Sequence, residues 1–570
     1  MSFAIINDRA ALSDYLQEVF STWGLPLCRP IAVADVDALE PVTTPVLILP
    51  AGSDVDAAVE FAARGGIVVT MLPQGAVAAA AGLQRGTDKE TPLRLRVVSE
   101  PLTGLAGELL PIVGRAANFS RIDDDVRVLA YLTVPGSFDG ECVGITERRI
   151  GDGLIVAFAF DLPHTLMMLR QGDPAKADVI PPGDNRHRAS HLVCDLGDTD
   201  AGWIPFTDLL SRLLVDLLLR RVHLPLPLFD HLPDGASGVV LYSGDEDRAD
   251  VSANDTEFEA VTAADGRMNL YIIPENTQSS PADTARYRQH HDLGPHVDLV
   301  PHADKSIDER LAEFERQVNL FREKFQVTPL TARNHNLMWV GYTELAELQA
   351  RLGIRMESNF ICGATYLRSF DTAPYSGYGA GMPMRFCRTD GQLIELFQQH
   401  FQLEDDCHFS DDIAYSTKFT PALYEAHLNR CLDDITRRFQ IPYGANLHPS
   451  NWVRFSATQG ETLLRRAAAY GLPIWSFDQW CTFWCARDTW TFADIQWDGV
   501  TLSFRVAGDA ALPGLEVNLP EEYGGATLGD VAIDGVPVTT TAVSRFGTMR
   551  AQIRLPDGVA EAGVTARYRS

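Results

Sequence analysis

The sequence predicts an α/β protein that closes on a smaller all-β region. Short apolar runs ending in Gly or Pro alternate with helical periodicity over residues 1–225, and again over 236–487. From about residue 488 the pattern changes to short alternating strands with Gly, Pro and Asp turns. Between the first two regions lies "LPLPLFDHLPDG", residues 224–235, whose prolines and lack of period read as a linker. The expected organisation is an N-terminal parallel-sheet α/β domain (1–225), a central (β/α) barrel (236–487) and a small β-sandwich (488–570).

In the first region "TPVLILPAG" and "GGIVVTMLP" are strands, with "SDVDAAVEFAARGG" a helix between them. Ser53 reads as its N-cap and Gly65 as its stop. Strand–helix–strand is the unit of a parallel sheet, and "LIVAFAFDLPHTLMML" repeats the strand-to-helix passage. The region resembles the class I glutamine-amidotransferase-like fold, which some glycosidases carry as an accessory domain. Active members of that family have a Cys on a tight strand–helix elbow. Here "VLILP" runs into "AGSD", with no Cys in a G-x-C-x-G turn, so the resemblance implies a non-catalytic module.

Charge narrows the partners. With 48 Lys and Arg against 76 Asp and Glu, the net charge of −28 repels nucleic acid and anionic membrane. The most apolar long stretch, "FTDLLSRLLVDLLLRRVHLPLPLF", is broken by Arg212, Asp216, Arg220 and Arg221 and reads as an amphipathic helix rather than a membrane span. The N-terminus lacks a basic segment followed by an apolar core, and the nine cysteines form no C-x-x-C pair, so a cytoplasmic location is expected. The composition is compatible with a homo-oligomer and does not require one.

The central region carries the chemistry. "SGVVLY" ends abruptly on Asp245, Glu246 and Asp247. Three carboxylates at a strand tip repel one another unless water or a cation offsets them, so the choice is a solvated turn or a metal site. "GPHVDLVPHADKS" ends a strand on His302, with His296 and Asp298 behind it. "TARNHNLMW" carries Arg333 and His335, and "YGANLHPSNW" ends on His448. In a parallel barrel such strand ends converge on one face, and Asp and neutral His are ordinary ligands of divalent ions. Between these stretches, "SIDERLAEFERQVNLFREKF" places Ile307, Leu311, Phe314, Val318, Phe321 and Phe325 on one helical face, with Ser306 and Glu309 as a capping box.

The order of these stretches resembles the NodB-homology, or polysaccharide deacetylase, domain, a distorted (β/α) barrel that removes acetyl groups from N-acetylated sugars. The family uses one divalent metal held by an Asp and two His. The resemblance implies that Asp245 is the general base, Asp247 a metal ligand, His302 the first metal His, Arg333 the group that steadies the base and His448 the acid that protonates the leaving amine. Glu246 separates two carboxylates that the family has adjacent. Four residues past His302 stands Ser306 instead of His. The second imidazole is therefore assigned to His335, with His296 reaching in as an alternative and a metal-free relative as a third.

Around these, His296 and Asp298 read as supporting residues, Asp298 as a hydrogen-bond partner of a ligand imidazole. Trp339, Tyr378 and Arg385 read as sugar contacts, the last two from a Gly- and Tyr-rich insert, although buried aromatics in a barrel are more often core. Glu404, Asp405 and Asp406 read as a solvated acidic turn. The functional expectation is a metal-dependent hydrolase, zinc by ligand type, acting on a small acylated carbohydrate or oligosaccharide. A glycosidase on the same barrel is the alternative, and a non-catalytic carbohydrate-binding protein the second.

Overall fold

The computed structural model describes residues 1–99, 105, 109–135, 142–196, 204–361, 379–413, 416, 418–509, 515–545 and 547–569. It is an α/β protein with two large sheets and a smaller β region. Among the described residues no helix is long and apolar enough to cross a membrane.

The N-terminal region holds a nine-stranded sheet. Cys28–Ile31, Phe3–Ile6, Val46–Leu49, Ile67–Met71 and Gly153–Phe158 pair parallel, in that order. Cys142–Ile150, Arg127–Thr133, Leu93–Val97 and Leu109–Ile112 continue the sheet antiparallel. This half departs from the parallel sheet expected. Its cause is legible in "RIGDGL": Gly151 sits at φ 57° and, with Asp152, closes a two-residue loop between Ile150 and Gly153, which only antiparallel strands accept. The helix after Val46–Leu49 is Ala57–Ala63, with Asp56 at its N-cap. Ser53 instead lies in a turn, its N–H donating to the Pro50 carbonyl, so it is not the cap. Gly65 stops the helix at φ 103° as expected.

The central sheet has ten strands: β1 (Val239–Asp245), β2 (Asn269–Ile272), β3 (Asp292–Val297), β4 (Thr331–Asn334), β5 (Met356–Glu357), β6 (Met384–Cys387), β7 (Leu393–Gln398), β8 (Leu403–Glu404), β9 (Pro442–Leu447) and β10 (Ile474–Trp475). Their order is β6-β7-β5-β4-β3-β2-β1-β9-β8, with β10 on β1, and every pairing is parallel except β6–β7. A parallel bridge between Ile361, after β5, and Phe401, before β8, joins the two sides of the curl. The sheet is thus a distorted barrel in which the C-terminal ends of all strands but β6 lie on one face. The expected helix is present as Ile307–Phe325, with Ser306 and Glu309 as its capping box and Phe314, Val318 and Phe321 fully buried.

The β region has two antiparallel sheets. The presumed linker is part of one of them: Leu228–Phe229 pair with Glu516–Pro520, and Phe229 stacks on Phe492 of the facing sheet, ring centroids 4.0 Å apart. Arg545 grips the buried Asp230 with both nitrogens of its fork. The prolines of the segment did not prevent pairing because it lies at a sheet edge.

Candidate active site

Strand alternation decides what the acidic triplet does. Residues two apart share a face. On the inner face of β1, the hydroxyl of Ser243 and the carboxylate of Asp245 both accept from the buried Arg333 of β4, at 2.7 and 3.3 Å. Asn446 of β9 donates to the second Asp245 oxygen at 2.8 Å. On the outer face Tyr242 donates to Glu257, and Glu246 accepts from Thr277, Ser279 and Asn254. Glu246 is fully buried there, and burial raises its pKa. It serves the packing of the helix Val251–Ala263 and takes no part in the site.

Past β1 the backbone turns sharply. Asp247 and Arg248 have φ of 44° and 66°, a conformation that costs a non-glycine residue about 1–3 kcal/mol. The turn brings the Asp247 carboxylate back over the strand ends. There its Oδ1 stands 3.2 Å from Nε2 of His296 and 3.7 Å from Nε2 of His335, while Oδ2 is 3.6 Å from Nε2 of His448. Oδ1 is buried yet takes no aligned hydrogen bond.

Each of these imidazoles is fixed from behind. His296 Nδ1 contacts the Arg333 carbonyl at 3.1 Å, and His335 Nδ1 contacts Asp298 at 2.9 Å. Acceptors at Nδ1 keep the proton there and leave Nε2 to face Asp247. In the structure the His335 Nε2 accepts from the Asn336 side chain at 2.9 Å. Asp298 is held on its other side by Arg248 at 2.9 Å. His448 Nδ1 is 2.6 Å from Asp405, whose second oxygen accepts from the His448 backbone N–H and from Ser456.

The charges follow from this geometry. Burial works against the charged form of His448, but Asp405, Asp247 and Asp406 outweigh it and hold the imidazolium well above the usual range. Burial also opposes the Asp247 carboxylate. The close approach of His296 and the charges of His448, His296 and His335 nevertheless hold it well below the ordinary carboxylate range. His296 is raised: burial lowers it, and Asp245 and Asp247 prevail.

Two sets of side chains offer donors for a divalent cation. Ligands about 2.0–2.2 Å from a tetrahedral ion stand roughly 3.3 Å from one another. Asp247 stands near that spacing from each of His296 and His335, and one carboxylate with two imidazoles is suitable donor chemistry, so these residues fit an ion once the two rings draw together and His335 Nε2 gives up the Asn336 amide. Among the described residues, Asp405, Asp406 and His448 are the set whose ligand atoms already gather within 4.8 Å of one another. Their spacing is the tighter of the two, but the Asp405 oxygens are less available, because each already accepts two or more donors, including Asn451 and the Asp406 N–H.

The structure thus gathers Asp245, Asp247, Arg333, His335, His448, His296 and Asp298. It does not bring in His302. That side chain is 36% exposed, lies on a short turn after β3 and faces Glu313 at 3.7 Å. His296, the penultimate residue of β3, occupies the place assigned to it, because an inward strand residue points into the barrel and a residue five positions past the strand has already turned away. Trp339 is fully buried, stacked on Phe386 and donating to the Tyr342 carbonyl, so it is core. Arg385 is spent on Glu18 and Asp488, tying β6 to the N-terminal region. Tyr378 lies outside the described residues. The acidic turn is not solvated: Asp405 is fully buried beneath His448. Its signal was the strand β8 immediately before it, too short at two residues to stand out by periodicity.

No protein-family model matches the chain, and no curated protein matches it. Solved structures do. The chain aligns along all of its length with 98% of Agd3, described as a novel carbohydrate deacetylase, at 10% identity and a TM-score of 0.42. Some 45% of it aligns with 93% of a protein from Mycobacterium smegmatis assigned as a polysaccharide deacetylase, at 13% identity and a TM-score of 0.33. A β-galactosidase from Bacillus circulans sp. alkalophilus aligns with 29% of the chain over 30% of its own, at 14% identity and a TM-score of 0.23. These superpositions are loose.

Proposed function

We propose that the protein is a hydrolase that removes an acyl group, most simply acetyl, from an N- or O-acylated carbohydrate. The observation that carries this is the orphaned Asp247 Oδ1 facing the Nε2 atoms of His296 and His335, each ring tied at Nδ1. These three residues would hold a divalent cation, and one carboxylate with two imidazoles is an ordinary zinc set. Such an ion supplies Lewis-acid chemistry, lowering the pKa of water and offsetting charge on a carbonyl oxygen. Asp245 receives the proton of the attacking water, its carboxylate fixed by Arg333 and Asn446. Asp405 orients His448 and keeps it charged, and His448 gives its proton to the departing amine or alkoxide. The N-terminal region is read as non-catalytic and the two-sheet region as accessory. A glycosidase would need two carboxylates across a cleft. Asp247 and Asp298 instead stand on opposite sides of one imidazole, with Arg248 on Asp298, which leaves no room for a sugar between them.

The test is metal content by plasma mass spectrometry beside acetate release from acetylated oligosaccharides. Near one equivalent is expected in the wild type and in His302→Ala, with loss in Asp247→Ala and His296→Ala and activity falling in parallel. Metal retained in His296→Ala but lost in His302→Ala overturns the ligand set. Absence of both metal and acetate release in the wild type overturns the reading.

A further inference from the structure

We propose that Arg188, from the N-terminal region, is a positioning residue of this site: it pins the turn at Asn336 and thereby aims the His335 imidazole at Asp247. The inference rests on the proposed metal site and assigns part of its construction to a region that contains none of the catalytic groups.

The loop that follows β4 has an unusual shape. Directly after His335, Asn336 and Leu337 both adopt left-handed backbone, φ 57° and 51°. Neither is a glycine, so the turn does not hold itself. Arg188 holds it, one guanidinium nitrogen donating to the Asn336 carbonyl at 2.7 Å and to its side-chain oxygen at 3.2 Å. Without an ion the Asn336 amide also donates to His335 Nε2 at 2.9 Å, a bond that gives way when that nitrogen takes a ligand. The link that persists in either state is the Asn336 backbone, held by the guanidinium and joined directly to His335. Arg188 is itself fixed: its Nε donates to Asp184 at 2.9 Å, its backbone N–H donates to His191 Nδ1, and His191 Nε2 lies 3.3 Å from the same Asp184 oxygen. The rest of the loop lies along this segment. Arg188 forms a backbone bridge with Met338, the Trp339 N–H donates to the His187 carbonyl at 3.2 Å, and the Gly341 N–H donates to Asp178, which also pairs with Arg310 at 3.0 Å. On the far side of the ring Asp298 fixes Nδ1. His335 is thus set by the barrel from one side and by the N-terminal region from the other.

The experiment compares wild type, R188K and R188A in the full-length protein with two readouts. The first is carbethoxylation of His335 by diethylpyrocarbonate in metal-stripped protein, followed by mass spectrometry with the exposed His302 as internal reference. The second is Co²⁺ titration followed by its visible absorption. R188A is expected to label His335 several-fold faster at an unchanged His302 rate, and to weaken Co²⁺ binding by about 10–100-fold. R188K keeps the charge but not the fork, and is expected to fall between. Unchanged His335 labelling in both variants overturns the positioning role, as does faster labelling with unaltered Co²⁺ affinity. If Co²⁺ binding by the wild type does not depend on Asp247, the metal reading fails, and the labelling still decides whether Arg188 fixes the ring. Thermal unfolding of R188K identifies any general loss of fold.

Discussion

His448 owes its charge to three carboxylates, and Asp405 is the one that also fixes its direction. Asp405→Asn removes the charged acceptor but leaves the shape. Acetate release is expected to fall by about 10²–10⁴-fold, the range of a lost acid–base group, with metal content unchanged. A loss of metal in the same variant would place the ion at Asp405 and His448 instead. Glu357 shows the opposite electrostatics. It is fully buried, with Asn359 donating twice to one oxygen, and burial pushes its pKa up to about 8. The folded chain therefore keeps a proton that the unfolded chain has released between pH 4.5 and 8. The contribution of Glu357 to stability is greatest below that window and falls as pH rises through it, by about 1.4 kcal/mol per pH unit. Glu357→Gln lacks this contribution, while the other buried acids titrate alike in both proteins. Urea unfolding at pH 5.5 and 7.5 should show the variant gaining on the wild type by about 2–3 kcal/mol; a constant difference would mean Glu357 is ionised in the fold.

Elements set which residues reach the mouth of the barrel. Ser306 stands four residues past His302, where the family pattern expects a second imidazole, but it caps the helix Ile307–Phe325, accepting from the Glu309 N–H while Glu309 reaches back. Ser306→Ala should cost about 1 kcal/mol in urea unfolding and leave metal content and acetate release intact. Loss of metal in that variant would contradict its purely structural role. The capping box and apolar stripe were legible in the sequence because both are local. The inward turn of His296 was not. It depends on where β3 ends, and His302 carried the stronger motif signal. Asp405 was missed for a related reason: an acidic run looks the same whether water or an imidazole receives it.

Across the molecule, buried ion pairs join regions that the sequence separates. Asp230, 1% exposed, is held by Arg545 and Gln552 of the C-terminal sheet. Arg487 donates to the Asp230 carbonyl and to the carbonyls of Ser21 and Thr22. Removing one partner of such a pair strands the other, so Asp230→Ala should destabilise the protein by about 3–5 kcal/mol. The check is urea unfolding, and a change within about 0.5 kcal/mol, the scale of a surface substitution, would show that the pair contributes nothing net.

Local sequence is enough to read the α/β character, the barrel strands that end on polar residues, the long capped helix, and Asp245, Asp247, Arg333, His335 and His448 as candidates that share one face. These are written in local period and in residue type, and both survive without knowledge of partners. Tertiary structure alone decided that Glu246 faces a helix, that His296 replaces His302, that Trp339 and Arg385 are structural, and that Arg188 touches the loop of His335. Each is a contact between segments distant in the chain, and its outcome depends on strand register and on a turn of one or two residues.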